Sequence, residues 1–220
     1  SVIEYLMEGE GLRTSISNNK AISGDGGAVL LENGCEFITN VGSILQGDLR
    51  SIRGNQATGD GGGIAVKNGA YAKIYGYGGG VSEIGNTEFP ASIKFNKADS
   101  DGNGQGDGGA IYISGIGSRV DVSHTIIRQN KAVNGAAVAV VDGAEITINR
   151  NKAGACWDNI SCNLILDNRA TEKAGGIYVK QGASAEIIMT HINQNRSNFG
   201  TAVYVEGEGS VVDVQTSLVD

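Results

Sequence analysis

Residues 99–113 read DSDGNGQGDGGAIYI. The first nine place oxygen-bearing side chains at alternate positions with glycine between them, as a calcium loop does. The remainder, GDGGAI and the alternating apolar residues after it, reads as a turn that leads into a β-strand. That second half recurs along the chain, and its recurrence decides the fold. It is found as GDGGAV (24–29), GDGGGI (59–64), GDGGAI (106–111), VNGAAV (133–138), KAGGIY (173–178) and NFGTAV (198–203).

Each copy is preceded by an apolar residue, two variable residues and an asparagine. The segments are ISNNKA ending at Ala21, IRGNQA at Ala57, IKFNKA at Ala98, IRQNKA at Ala132, ILDNRA at Ala170 and INQNRS at Ser197. The asparagines Asn19, Asn55, Asn96, Asn130, Asn168 and Asn195 are 36, 41, 34, 38 and 27 residues apart. The shortest unit holds three strand-like stretches, GIYVK, SAEIIM and THINQN, divided by turn residues. The first stretch alternates with period two in every copy, which puts its first and third side chains on one face.

A unit of this size cannot bury its own apolar face, whereas stacked units can, each strand pairing in parallel with its counterpart about 4.8 Å along. The expected fold is therefore all-β, a right-handed parallel β-helix of about seven coils and roughly 30 Å length. Asparagine tolerates the left-handed backbone of a tight corner, and stacked amides can bond along the column. The asparagine column is thus read as structural.

Composition fits this reading. Glycine supplies 35 of 220 residues, about twice ordinary usage, without a collagen period, and 40% apolar content argues against disorder. Net charge is −7, from 17 Lys and Arg against 24 Asp and Glu. With no basic run along the chain, nucleic acid is not an expected partner. No apolar run reaches the roughly 18 residues of a membrane span, and the first residues are not a signal peptide. The whole of 1–220 reads as a single β-helix domain. MEGEG (7–11) resembles VEGEG (205–209) and no polar cap is visible, so the expectation is a segment of a longer secreted or surface protein that continues into further repeats or other domains.

The pairing of an [F/I]-x-x-N motif with GGA[ILV] resembles the repeats of chlamydial polymorphic outer membrane proteins and similar autotransporter passengers. Ile16, Ile52, Ile93, Ile127, Ile165 and Ile192 stand where those repeats usually carry Phe. The resemblance implies a pectin-lyase-like right-handed solenoid on a bacterial outer membrane or secreted from the cell, often adhesive, with no catalytic residue to carry over.

Several residues are candidates for a site. Asp99, Asp101, Asn103, Gln105 and Asp107 offer oxygens for calcium, although Ala110 replaces the bidentate Glu of an EF-hand; the other reading is an acidic turn insertion. Asp25, Asp60 and Asp107 share one position in three consecutive units, followed by Asn134 and Lys173, and would form a ladder of like charges. No Arg or Lys other than Lys173 aligns beside it. Tyr178 and Tyr204 fall in the outward column of the first strand. In YAKIYGYGGG (71–80), Tyr71, Tyr75 and Tyr77 read as an aromatic loop suited to sugar or protein contact. Insertions near 40–50, 75–91 and 149–163 all interrupt the unit between its second and third strands, so they gather on one side, where binding loops are expected. The third contains Trp157 between Cys156 and Cys162, which can close a small disulfide ring or remain as thiols. Cys35 aligns with Ala70, Ala144 and Ala183 and reads as a buried thiol.

A hydrolase would need two carboxylates at a set separation, and the aspartate ladder is the one carboxylate cluster the alignment brings together. His124 and His191 fall at different positions in their units. The expected function is a non-catalytic stalk or adhesin segment that binds a host-cell protein or glycan through loops on one side. The alternative is a calcium-dependent polysaccharide lyase or hydrolase.

Overall fold

The structure, a computed structural model, describes residues 2–5, 15–41, 51–76, 91–149 and 163–219. No helix occurs among them, and the strands form stacked parallel sheets. Sheet one has six strands: Val29–Leu31, Ile64–Lys67, Ile111–Ser114, Val138–Val141, Ile177–Lys180 and Val203–Glu206. Sheet two has seven: Val2–Tyr5, Glu36–Val41, Tyr71–Gly76, Arg119–Ser123, Glu145–Ile148, Ser184–Ile188 and Val211–Gln215. Sheet three also has seven: Ser15–Ser17, Ser51–Arg53, Ala91–Lys94, Thr125–Arg128, Asn163–Leu166, Thr190–Asn193 and Leu218–Val219. In each sheet the neighbour of a strand is the equivalent strand of the next unit, the pairing of a repeat solenoid.

The register explains the sequence pattern. Ile64, Ile111, Val138, Ile177 and Val203 pair in one inward file of sheet one. Ile52, Ile93, Ile127, Ile165 and Ile192 form the inward file of sheet three. All of these but Val203, which packs against its end, belong with Ile74, Val122, Ile148 and Ile187 of sheet two to one continuous core cluster. Each fully buried isoleucine contributes on the order of 2–3 kcal/mol, an upper figure because unfolded chains already bury some surface.

The units contain one element more than the three strands expected. Between sheet three and the glycine turn, a short stretch pairs in parallel with its neighbours, Lys20–Ala21 with Gln56–Ala57 and Lys131–Asn134 with Arg169–Lys173. Single bridges from Gln56 to Lys97 and from Lys97 to Lys131 continue the file.

The asparagines form a hydrogen-bonded ladder along this stretch. Asn130 Oδ1 accepts from the backbone N of Asn96 at 2.9 Å and from Asn96 Nδ2 at 3.0 Å. Its own Nδ2 donates to Ile93 O, Arg128 O and Asn168 Oδ1 at 3.0 Å each. The same relay runs from Asn19 through Asn55 and Asn96 and on to Asn168 and Asn195. A buried amide with all its donors and acceptors engaged holds two units at one register.

The corner conformation differs from the expectation. Asparagine itself does not take the left-handed backbone; the residue before it does, namely Asn18, Gly54, Phe95, Gln129, Asp167 and Gln194. The reason is directional: the amide must point inward to bond along the column, so the reversal falls one residue earlier. Between sheets one and two the turn uses two left-handed residues in succession, Asn33–Gly34, Asn68–Gly69, Asp142–Gly143 and Gln181–Gly182. Between sheets two and three a single left-handed residue suffices at His124, Met189 and Thr216.

Candidate functional site

The single-residue corner is where the longer units depart. Sheet-two strands end at Tyr5, Val41, Gly76 and Ile148, and the next sheet-three strands begin at Ser15, Ser51, Ala91 and Asn163. The intervening stretches, one more than the sequence comparison had grouped, all connect the same two sheets. They lie largely outside the described residues, as do Tyr77, Cys156, Trp157 and Cys162.

The aromatic candidates separate. Tyr71 and Tyr75 are not on a loop: both sit on the strand Tyr71–Gly76 and face outward from sheet two with Lys73 between them. The reading as a loop gave weight to the glycines and missed the period-two pattern before them. Tyr71 Oη donates to Asp121 Oδ2 at 2.8 Å, and Arg119 Nε reaches Asp121 Oδ1 at 2.9 Å. Burial, reinforced by Asp121, pushes the Tyr71 hydroxyl up to about 12.

Tyr178 is not an exposed platform. It is 2% exposed, and with Ala65, Tyr112, Ala139, Val141 and Ala174 it forms a second apolar cluster against which Tyr204 packs. From Ala65 to Tyr178 the outward column of sheet one is covered by the glycine turn, which folds back over it, while Leu30 at one end is exposed. A Cβ at Gly135 would lie 2.9 Å from Tyr178 Cβ, and one at Gly200 would lie 2.8 Å from Tyr204 Cδ2. Tyr178 and Tyr204 have ring centroids 6.2 Å apart. Tyr178 Oη bonds Glu206, and Lys173 Nζ bonds the other Glu206 oxygen at 2.8 Å. Lys173 and Tyr178 together hold the Glu206 carboxyl below its usual range.

The aligned aspartates form a second ladder. Asp25 Oδ1 accepts from Asp60 N at 2.8 Å, and Asp60 Oδ1 accepts from Asp107 N at 2.8 Å. Asp107 Oδ1 accepts from Asn134 N at 3.1 Å and Nδ2 at 2.9 Å, and Asn134 Oδ1 accepts from Lys173 N at 3.1 Å. Lys173 is not alone in facing this column. Lys67 Nζ lies 2.8 Å from Asp25 Oδ2, and the Lys180 charge acts on Asp107. Both lysines come from the end of a sheet-one strand, a file not compared with the turn when the units were aligned.

Burial and the neighbouring Asp60 carboxylate raise Asp107 to about 6, against the hydrogen bonds from Asn134 and the charge of Lys180. Asp60 is raised as well, chiefly by burial and then by Asp25. A carboxyl whose folded value exceeds its unfolded one favours the fold when protonated. Stability from Asp107 is therefore lost as pH rises from about 4 to about 6 and stays lost above that. Asp107→Asn keeps the acceptor for Asn134 and removes the charge. It is expected to stabilise the protein by about 1–2 kcal/mol at pH 8 and to change nothing at pH 4. Urea denaturation of both proteins at the two pH values measures this, and equal midpoints at pH 8 would show that burial beside Asp60 does not disfavour the Asp107 carboxylate.

The calcium candidates are divided by the same ladder. Asp101 and Asn103 bond within the loop, Asn103 Nδ2 to Asp101 Oδ2 at 3.0 Å and Gln105 N to Asn103 Oδ1 at 2.8 Å. Asp99 Oδ1 accepts from Gly104 N at 3.2 Å, while Asp107 turns to Asn134. Among the described residues no three His, Cys, Asp or Glu side chains gather where they could hold a metal ion. Cys35 is a free thiol, half-buried against the core. His124 occupies a corner and His191 a sheet-three strand. Compared with known proteins, the chain matches no family, no curated sequence and no solved structure.

Proposed function

We propose that this chain is part of an exported bacterial surface or secreted protein, a right-handed β-helix of about seven coils that serves as a rigid stalk or adhesin. The observation that carries this reading is the position of the long connections. Four of them, 6–14, 42–50, 77–90 and 149–162, join sheet two to sheet three, while the ladders that fix register lie at other corners, and a shorter insertion at 99–104 stands in the glycine turn. A scaffold whose pairing is set elsewhere can vary one corner freely and present a host-cell protein or glycan ligand there. The aligned aspartates support a structural role, since their Oδ1 atoms accept the backbone N–H of the next unit.

Replacing residues 77–90 by one residue, as at His124, is expected to abolish host-cell or glycan binding. The melting temperature should stay within about 3 °C, since the hydrogen bonds that fix register lie at other corners. Flow cytometry with labelled protein and a melting curve check both. Turnover of an acidic polysaccharide that disappears in Asp60→Ala or Asp107→Ala would replace the adhesin reading by an enzymatic one.

A further inference from the structure

The residue after each ladder asparagine is basic in five units of six: Lys20, Gln56, Lys97, Lys131, Arg169 and Arg196. Parallel pairing sets these residues in one file, Lys20 against Gln56, Gln56 against Lys97, Lys97 against Lys131, Lys131 against Arg169 and Arg169 against Arg196. Neighbours in such a file stand about 4.8 Å apart. Lys20, Lys131, Arg169 and Arg196 are exposed and Lys97 is half-buried. Among the described residues none of the five cations is ion-paired. On the sheet-three side of the same corner, Arg53 and Arg128 belong to a second outward file, with the buried Lys94 between them. The corner residues separating the two files include one acid, Asp167, and one exposed ring, Phe95.

Like charges directly opposite one another weaken a sheet, and the chain as a whole carries −7. A file of cations with no ion pair among the described residues, on one edge of an acidic protein, is a local field of the wrong sign for its surroundings, and a polyanion relieves it. We propose that this edge binds a linear acidic polysaccharide, with carboxylate or sulfate groups along the polymer set against the cations of successive units. Arg169 and Arg196 offer planar forks that match such oxyanions in pairs of hydrogen bonds, and the lysines act as point charges. The straight file suits a straight polymer carrying charge at regular intervals. Single-stranded nucleic acid is favoured by aromatic side chains interleaved with the cations to stack bases, and here Phe95 stands alone. The edge lies at a different corner from the long connections, so the inference does not rest on the adhesin reading.

Affinity electrophoresis of the intact chain through gels containing heparin, polygalacturonate or neutral dextran tests it. Heparin and polygalacturonate should retard migration at low salt, dextran should not, and about 0.5 M NaCl should abolish the effect by screening. The double variant Lys131→Gln, Arg169→Gln should weaken retardation at least 10-fold, with an unchanged or higher melting temperature because it relieves repulsion. Lys73→Gln with Arg119→Gln on the outer face of sheet two removes the same charge and should alter retardation less than 2-fold. The proposal is overturned by absent retardation in both acidic gels, or by equal loss in the two double variants. It is likewise overturned if single-stranded DNA is bound more tightly than either polysaccharide through the same residues.

Discussion

Asn130→Ala is expected to cost the protein about 3–5 kcal/mol in urea denaturation, far more than truncation at the exposed end of the ladder. The side chain is fully buried. Its removal leaves the backbone N–H of Asn96 without its 2.9 Å acceptor and the Ile93 carbonyl without its 3.0 Å donor. Each orphaned buried group forfeits about 1–3 kcal/mol because water does not reach it. Asn130→Asp separates this from packing. It keeps an acceptor for Asn96 but sets a carboxylate oxygen where Nδ2 faced Asn168 Oδ1 and Ile93 O. The loss should be as large at pH 7 and smaller at pH 4, where the acid is protonated. Asn19→Ala, at the exposed first position of the ladder, should cost less than about 1 kcal/mol. A loss for Asn130→Ala no greater than that for Asn19→Ala would mean that the ladder does not hold register.

Gly62→Ala is expected to lower the melting temperature by about 10 °C, corresponding to roughly 3 kcal/mol in a chain of this length. A methyl group there would lie 2.3 Å from Lys97 C, 2.5 Å from Ala98 N and 2.6 Å from Gly109 O. All three are backbone atoms, so no side chain can swing aside. The equivalent residue in a later unit is Ala136, fully buried beside Ala98, Ala132 and Ala170. Its unit pairs with an irregularity between Ala132 and Asn134, which sets its turn apart from that of Gly62. Ala136→Gly should therefore cost only about 1 kcal/mol, the value of a lost methyl and a freer unfolded chain. A melting curve for Gly62→Ala that overlies the parent would show that the units are not packed backbone to backbone at the turn.

The repeat was legible because its punctuation is chemically constrained. The asparagines 27–41 residues apart in the chain fall in one hydrogen-bonded file, and the inward isoleucines follow from period two. What escaped the sequence was anything that depends on a second chain segment crossing a face. Tyr178 read as outward because alternation tells which side of a strand a residue is on, not what lies over that side. The turn over it brings Gly135 against the Tyr178 side chain, and glycine carries no apolar signature. The cations after the asparagines escaped for the opposite reason. Separated by 27 to 77 residues along the chain, they form no basic run. Only superposed units turn them into neighbours, and comparing the position after Asn across the copies would have exposed them. The ladder at Asp25, Asp60 and Asp107 was legible as an alignment, but its bonding to the next backbone N–H needed three dimensions.

The one-residue corners at Met189, Thr216 and His124 have a use beyond closing the unit. Foreign peptides spliced in place of such a residue would emerge from a frame whose assembly they do not direct. Grafts on adjacent units would sit about 5 Å apart, too close for bulky sequences, and alternate units would separate them by about 10 Å. Multivalent display at a chosen pitch is thus available without redesigning the core.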